Sequence, residues 1–213
     1  MKKQRLLSGS ETFRGMKSGA FVTLMAFLLS VFSVTSHAGW ELDNSRSSIH
    51  FLSVKNSNIA ELHYFKVMAG AIADDGATQV AIDLDSVETL IPIRNQRLRE
   101  LLFETVRFPA ANLSAAVPED VLTLPAGESR GVELPVTLDL HGNTVTYEAK
   151  LLVTSLADGN LQAVLAEPLL VKVEDFGLAE GVATLREVAG LKSISTNIPI
   201  SGQLIFTKTA EAP

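Results

Sequence analysis

The sequence contains no cysteine. That single absence removes a thiol nucleophile, a Cys-ligated zinc site, a C-x-x-C-H haem attachment and an N-terminal lipoprotein cysteine. No disulfide can hold the fold, although the compartment argued for below would permit one. Positive charge is also in short supply, with 18 Lys+Arg against 24 Asp+Glu. Such a surface repels nucleic-acid phosphates, so no nucleic-acid partner is expected. Aromatic residues make up only 6% of the chain.

Long apolar runs are missing too. Residues 20–34 (AFVTLMAFLLSVFSV) form a 15-residue uncharged stretch, shorter than the roughly 20 residues a membrane-spanning helix needs. Lys2, Lys3, Arg5, Arg14 and Lys17 precede it, and Ser36-His37-Ala38 follows with small residues at the positions a signal peptidase reads. This is the pattern of a cleavable secretory signal over residues 1–38, with cleavage before Gly39. The mature chain, 39–213, is expected in the periplasm as a single domain without a stable membrane anchor. The leader holds five of the 18 basic and one of the 24 acidic residues, leaving 13 and 23, a net charge of −10.

Signatures of catalysis are equally sparse. No G-x-S-x-G elbow, glycine-rich phosphate loop or S-x-x-K element occurs. The three histidines of the mature chain, His50, His63 and His141, fall at no metal-ligand spacing, and they read as surface or rim residues. Asp83 and Asp85 share one strand face and could suggest a glycosidase pair. Their alternation with Val80, Ile82 and Leu84 makes them a solvated outer face instead. No catalytic residue, metal or cofactor is therefore expected.

What the sequence does have is period-two alternation, the mark of half-buried strands. Val132, Leu134, Val136, Leu138 and Leu140 occupy one face of a segment whose other face carries Glu133, Pro135, Thr137, Asp139 and His141. Val80, Ile82 and Leu84 repeat the theme, as do Ile194, Thr196, Ile198, Ile200, Leu204 and Phe206. Further strands are expected at 48–55, 62–72, 108–116, 144–154 and 161–173, making eight. Turns fall at Asp74-Asp75-Gly76, His141-Gly142-Asn143 and Asp158-Gly159-Asn160. Many short antiparallel strands in one domain point to a sandwich or a barrel. Pro135 and Pro199 must sit at edges or bulges, because proline cannot donate to a ladder.

Two segments break this pattern. Residues 95–103 place Leu98, Leu101 and Leu102 at helical spacing with Asn95 as N-cap. Residues 179–189 repeat the spacing with Val182, Leu185 and Val188 before Gly190. The first carries Arg94, Arg97 and Arg99. One reading makes these a solvated face paired with Glu100 and Glu104. The other makes the segment a lid whose leucines close an open barrel end while an arginine meets a polar headgroup.

In order along the chain come Trp40 to Asp43 (WELD), Ser48 to Phe51 (SIHF), Asp83 to Thr89 (DLDSVET), Arg94 to Glu100 (RNQRLRE), Phe103, Phe108-Pro109, Leu138 to Gly142 (LDLHG) and Val173 to Gly177 (VEDFG). This succession resembles the YceI-like family of polyisoprenoid-binding periplasmic proteins across nearly the whole mature chain. At the position after Arg94, where the family usually has an acid, this chain has Asn95. The resemblance implies an extended, lipocalin-like, eight-stranded antiparallel β-barrel around an apolar pore that holds a polyprenyl or quinone-like lipid. Its expected pore residues are Ile82, Leu84, Leu134, Val136, Leu138, Leu140, Ile198 and Ile200, joined by Phe51, Phe65, Phe108 and Phe176. Leu98 and Leu102 would cap the pore, and Arg94 and Arg97 would face the headgroup. The expected partner is an isoprenoid or other long-chain lipid; a homodimer is left open. The alternative is a secreted hydrolase or isomerase of small apolar substrates; weaker still is an adhesive domain with a filled core. Inward apolar residues are required whether the barrel is filled or hollow, so residue pattern alone does not separate these.

Overall fold

A computed structural model describes residues 38–209. The expected leader, apart from Ala38, lies outside the described residues. Twelve strands are formed among them: β1 (Ala38–Leu42), β2 (Ser48–Lys55), β3 (Ile59–Phe65), β4 (Met68–Ala73), β5 (Ala77–Asp83), β6 (Val87–Glu88), β7 (Ala110–Ala116), β8 (Ser129–Leu140), β9 (Asn143–Ser155), β10 (Leu161–Leu165), β11 (Leu169–Lys172) and β12 (Asn197–Lys208). Every pairing among them is antiparallel.

Neighbours run β1-β4-β5-β7-β8-β9-β10-β12, and β12 pairs back onto β1, so eight strands close into a barrel. Closure removes the unpaired edges that an open sheet would present. β12 is shared along its length. Phe206 to Lys208 pair with β1, Gln203 to Phe206 with β10, Ile200 to Gln203 with β2, and Asn197 to Ile200 with β11. β3 extends the sheet beyond β2, and β6 beyond β3.

The alternating segments adopt the expected strands, with two divisions and two additions. The strand expected at 62–72 is two, because the chain turns at Lys66-Val67 between β3 and β4. The strand expected at 161–173 also divides, because Pro168, which has no N–H for a ladder, separates β10 from β11. β1 and β6 were not foreseen; both are too short to show a period. Pro135 lies just beyond the last β7–β8 pair, Ser114 with Thr137, and Pro199 just beyond the last β2–β12 pair, Phe51 with Ile200. Both prolines therefore sit where a neighbouring ladder has ended. His141 and Gly142 have φ of +54° and +78°, the left-handed pair that a two-residue hairpin between β8 and β9 requires.

Two of the helical segments pack together. α1 (Pro92–Arg97) continues into a π-helical turn, Leu98–Leu102. It starts earlier than expected: Ile91 is the N-cap and Pro92 supplies the fixed φ of a first turn. Asn95 does not cap the helix. It is buried within it, where Oδ1 accepts from the Thr89 N–H at 2.9 Å and the Thr89 hydroxyl at 2.5 Å while Nδ2 donates to Glu88 at 2.9 Å. α2 is a single turn, Glu119–Leu122, whose Val121 is buried in a separate cluster with Leu124 and Val153. α3 (Ala179–Val188) matches its expected span and stops before Gly190, whose φ is +63°. α3 packs on the π-helical turn through Gly181, where a Cβ would lie 2.7 Å from the Leu101 carbonyl oxygen.

Candidate ligand-binding site

The barrel is hollow. A cavity of about 540 Å³ runs through it, within the range of small-molecule sites. Period two explains its wall. Along β8, Leu134, Val136, Leu138 and Leu140 face inward, and along β12, Ile198, Ile200, Leu204 and Phe206 do so. The inward residues of β12 span eight residue steps, roughly 26 Å at strand rise. Ile82 and Leu84 line the wall from β5 and the turn that follows it. Phe51 and Phe65 line it from β2 and β3, with ring centroids 5.4 Å apart, and Phe103 extends the aromatic row 6.0 Å from Phe65. α1 and the π-helical turn contribute Leu98 and Leu102, together with Arg94 and Arg97.

Two expected pore residues lie elsewhere. Phe108 packs on His141, 4.2 Å between centroids, outside the cavity wall. Pro109 ends its segment before β7 starts at Ala110, so the strand alternation does not extend back to it. Phe176 is fully buried in the hydrophobic core that also holds Leu98, Phe103 and Val182. It belongs to a 3₁₀ turn, Val173–Phe176, whose tighter winding takes the ring out of strand register. The expected pairing of the lid arginines also differs: Arg99 meets Asp85 and Arg94 meets Glu61, while Glu104 meets Arg107 and Glu100 accepts from Gln96.

The polar part of the site comes mainly from β2, β3 and α1. Glu61, His63 and Phe65 share one face of β3, so an inward Phe65 carries both polar residues inward with it. His63 was expected at the surface or rim; it is 3% exposed and lies directly across from Phe51. Its Nε2 is 2.9 Å from Ser53 Oγ, and its Nδ1 is buried with no hydrogen-bond partner. Burial, and after it the nearby Arg94 charge, push the imidazole down to about 4. It is therefore neutral near pH 7. Glu61 binds Lys55 and Arg94, each at 2.8 Å, and these contacts, led by Lys55, hold its carboxyl below the usual range. Arg94 also donates to the Thr89 carbonyl at 2.5 Å. Arg97 lines the cavity half-exposed and meets no carboxylate among the described residues.

These residues ring one mouth. Lys55 pairs with Ile194, the Asn56 side chain accepts from the Lys192 N–H, and Arg94 reaches Glu61. The β2–β3 hairpin, the start of α1 and the chain after α3 thus meet around a single opening. The result is a long apolar chamber with a cationic, hydrogen-bonding collar. Such a site holds an extended apolar molecule by burial and one polar end by charge-assisted hydrogen bonds. The Ser53–His63 pair has nucleophile–base spacing, but no acceptor orients Nδ1 and Glu61 is occupied by two cations, so no triad is assembled.

Known proteins share this architecture. No curated protein sequence matches the chain. A polyisoprenoid binding domain from Saccharophagus degradans, implicated in plant cell wall breakdown, is 36% identical and superposes with a TM-score of 0.79, covering 81% of this chain and 99% of that one. BcnA from Burkholderia cenocepacia is 17% identical with a TM-score of 0.61, over 77% of this chain and 98% of its own, a likeness of fold alone. The YceI-like domain model matches residues 40–206, from the Trp40 of β1 to the Phe206 of β12. Those residues span the barrel from its first strand to its last and include one closing pair, Leu42 with Phe206, and so the chain belongs to the YceI-like family, whose members are generally non-enzymatic.

Proposed function

We propose that this protein binds a long isoprenoid-type lipid, a polyprenyl or quinone-like molecule, as a periplasmic carrier or sequestering protein, and that it catalyses no reaction. The observation that carries this is the hollow barrel itself. A filled core would stabilise the fold more, because packed interiors gain dispersion contacts that an empty channel forfeits. An apolar guest regains them at roughly 0.8 kcal/mol per buried CH₂-sized group. The likeness to a polyisoprenoid binding domain supports the same class of guest. Arg97, with no carboxylate partner among the described residues, is the contact for a phosphate or carbonyl headgroup. Arg94, held by Glu61 and Thr89, shapes the collar beside it.

Mass spectrometry of a solvent extract from natively purified protein tests this directly. A stoichiometric prenyl lipid is the expected result, and Leu138→Glu should remove it, because a carboxylate in the channel is either desolvated or draws in water. Native protein that yields no lipid, or a folded Leu138→Glu variant that retains one, would refute the proposal.

A further inference from the structure

The rim of the mouth bears features that the barrel does not use. Leu90 is 79% exposed at a φ of +62°. That region is one a bulky residue rarely adopts, and asparagine or glycine would take it more easily. The chain thus holds a large apolar side chain in water on a strained backbone; the Leu90 N–H donates to Glu88 at 2.6 Å, which helps hold the backbone, but the exposed side chain gains nothing from it. Beside it Ile91 and Ile93 are exposed at 43% and 53% while also lining the cavity, and Val188, next in the chain to the cavity-lining Ala189, is 46% exposed. The apolar lip is therefore continuous with the channel.

Charge on the same rim runs against that of the whole molecule. The three segments 55–61, 90–97 and 186–192 carry Lys55, Arg94, Arg97, Arg186 and Lys192 but only Glu61 and Glu187, in a chain of net charge −6. Both acids are already ion-paired within the rim, Glu61 to Lys55 and Arg94, Glu187 to Arg186. Arg97 and Lys192 have no carboxylate partner among the described residues. An apolar lip beside five cations and only two acids, with Arg97 and Lys192 unpaired to any carboxylate among the described residues, is the chemistry of a surface that seats on an anionic lipid bilayer, with the apolar tips below the headgroups and the cations among them.

We propose that the mouth rim, with Leu90 at its tip, docks this protein on anionic membrane surfaces so that the channel opens directly into the lipid. The inference rests on the carrier reading for the purpose of docking, not for its geometry. The test is co-flotation of the full chain with vesicles of phosphatidylglycerol and phosphatidylcholine in equal parts, and with phosphatidylcholine alone. Binding to the anionic vesicles, weakened by salt, is expected. Leu90→Asn should lower the bound fraction by about tenfold or more, the effect of withdrawing one inserted leucine. Lys192→Glu should lower it severalfold. Neither residue lines the cavity, so both variants should keep wild-type lipid content, and Leu90→Asn should melt no lower than wild type. Wild-type protein that stays off anionic vesicles, or Leu90→Asn that binds as well as wild type, would overturn the inference. So would a wild-type dimer in sedimentation equilibrium that Leu90→Asn dissociates, since the lip would then cover a second copy. Lipid content measured on the same samples tells failure of docking apart from failure of the carrier reading.

Discussion

His63 shows how one buried side chain ties the site to stability. An unfolded histidine takes up its proton near 6.5, whereas this one does so only at about 4. Between those values the unfolded chain binds more protons than the folded one, so stability falls as pH falls. The contribution is complete above about pH 6.5 and declines toward pH 4, by up to about 3 kcal/mol. Chemical denaturation at pH 7 and pH 4.5 should show this loss, and His63→Phe should flatten that part of the profile. An unchanged slope in His63→Phe would assign the loss to other groups. Asn95 makes a second prediction at this scale. Its amide donates to Glu88, whose carboxyl is held down at about 2 by Asn95, Lys66 and the Leu90 N–H. Asn95→Asp replaces that donor with a second carboxylate facing the first and should cost about 1–3 kcal/mol in urea denaturation at pH 7. Recovery of most of that loss near pH 4 would identify the like-charge contact as its source.

Among the elements, the helical segment over 92–102 was legible in outline but not in detail. Helical spacing of leucines marked it, and the arginines marked its polar side. Its start was misplaced because Asn95 has the chemistry of a cap while spending it on Thr89 and Glu88, residues that a linear reading does not bring near. Leu98 is buried in the main core as well as lining the cavity. Truncating the lid leucines would therefore destabilise the whole barrel along with the closure. Gly181 offers a cleaner lever. A Cβ there meets the Leu101 carbonyl oxygen and Leu102, so Gly181→Ala must push α3 off the π-helical turn. Lipid release, followed by transfer to acceptor vesicles, should then accelerate several-fold more than the loss of stability alone accounts for. Wild-type release rates in this variant would mean that the α3 contact does not gate the channel.

Across the whole molecule, the long strands announced themselves because half-buried alternation is a local property. Inward positions on β5, β8 and β12 follow from counting by two. Phe65 was expected inward without such a count; the same rule, applied two and four residues before it, would have found His63 and Glu61, but hydropathy hid them, since Leu62 between them faces out, 57% exposed. Phe108 and Phe176 escaped because the chain leaves strand geometry at Pro109 and in the 3₁₀ turn. Hollowness was not legible in the residue pattern, since a wall has the same residues whether or not anything stands inside it; only the family resemblance pointed to a pore. The expected export of the chain is a property of residues 1–38. N-terminal sequencing of protein from the periplasmic fraction should begin at or near Gly39, and intact Met1 on the bulk of the protein would contradict it.

The sharing of β12 among four neighbours sets the tempo of assembly. β1 and β12 pair Trp40 with Lys208, residues at nearly opposite ends of the described chain. Until Gln203 to Lys208 have left the ribosome or the translocation channel, β1 and β10 stay open on the sides that β12 will cover. Contacts of such long sequence separation form slowly, on the millisecond-to-second scale of non-local β topologies. Through that interval the chain is a curved sheet with two sticky borders and no chamber, so a guest can enter only after the last strand has docked. Haste in synthesis would thus show itself as aggregation, and a folding helper that masks sheet borders would raise yield without touching the stability of the finished barrel.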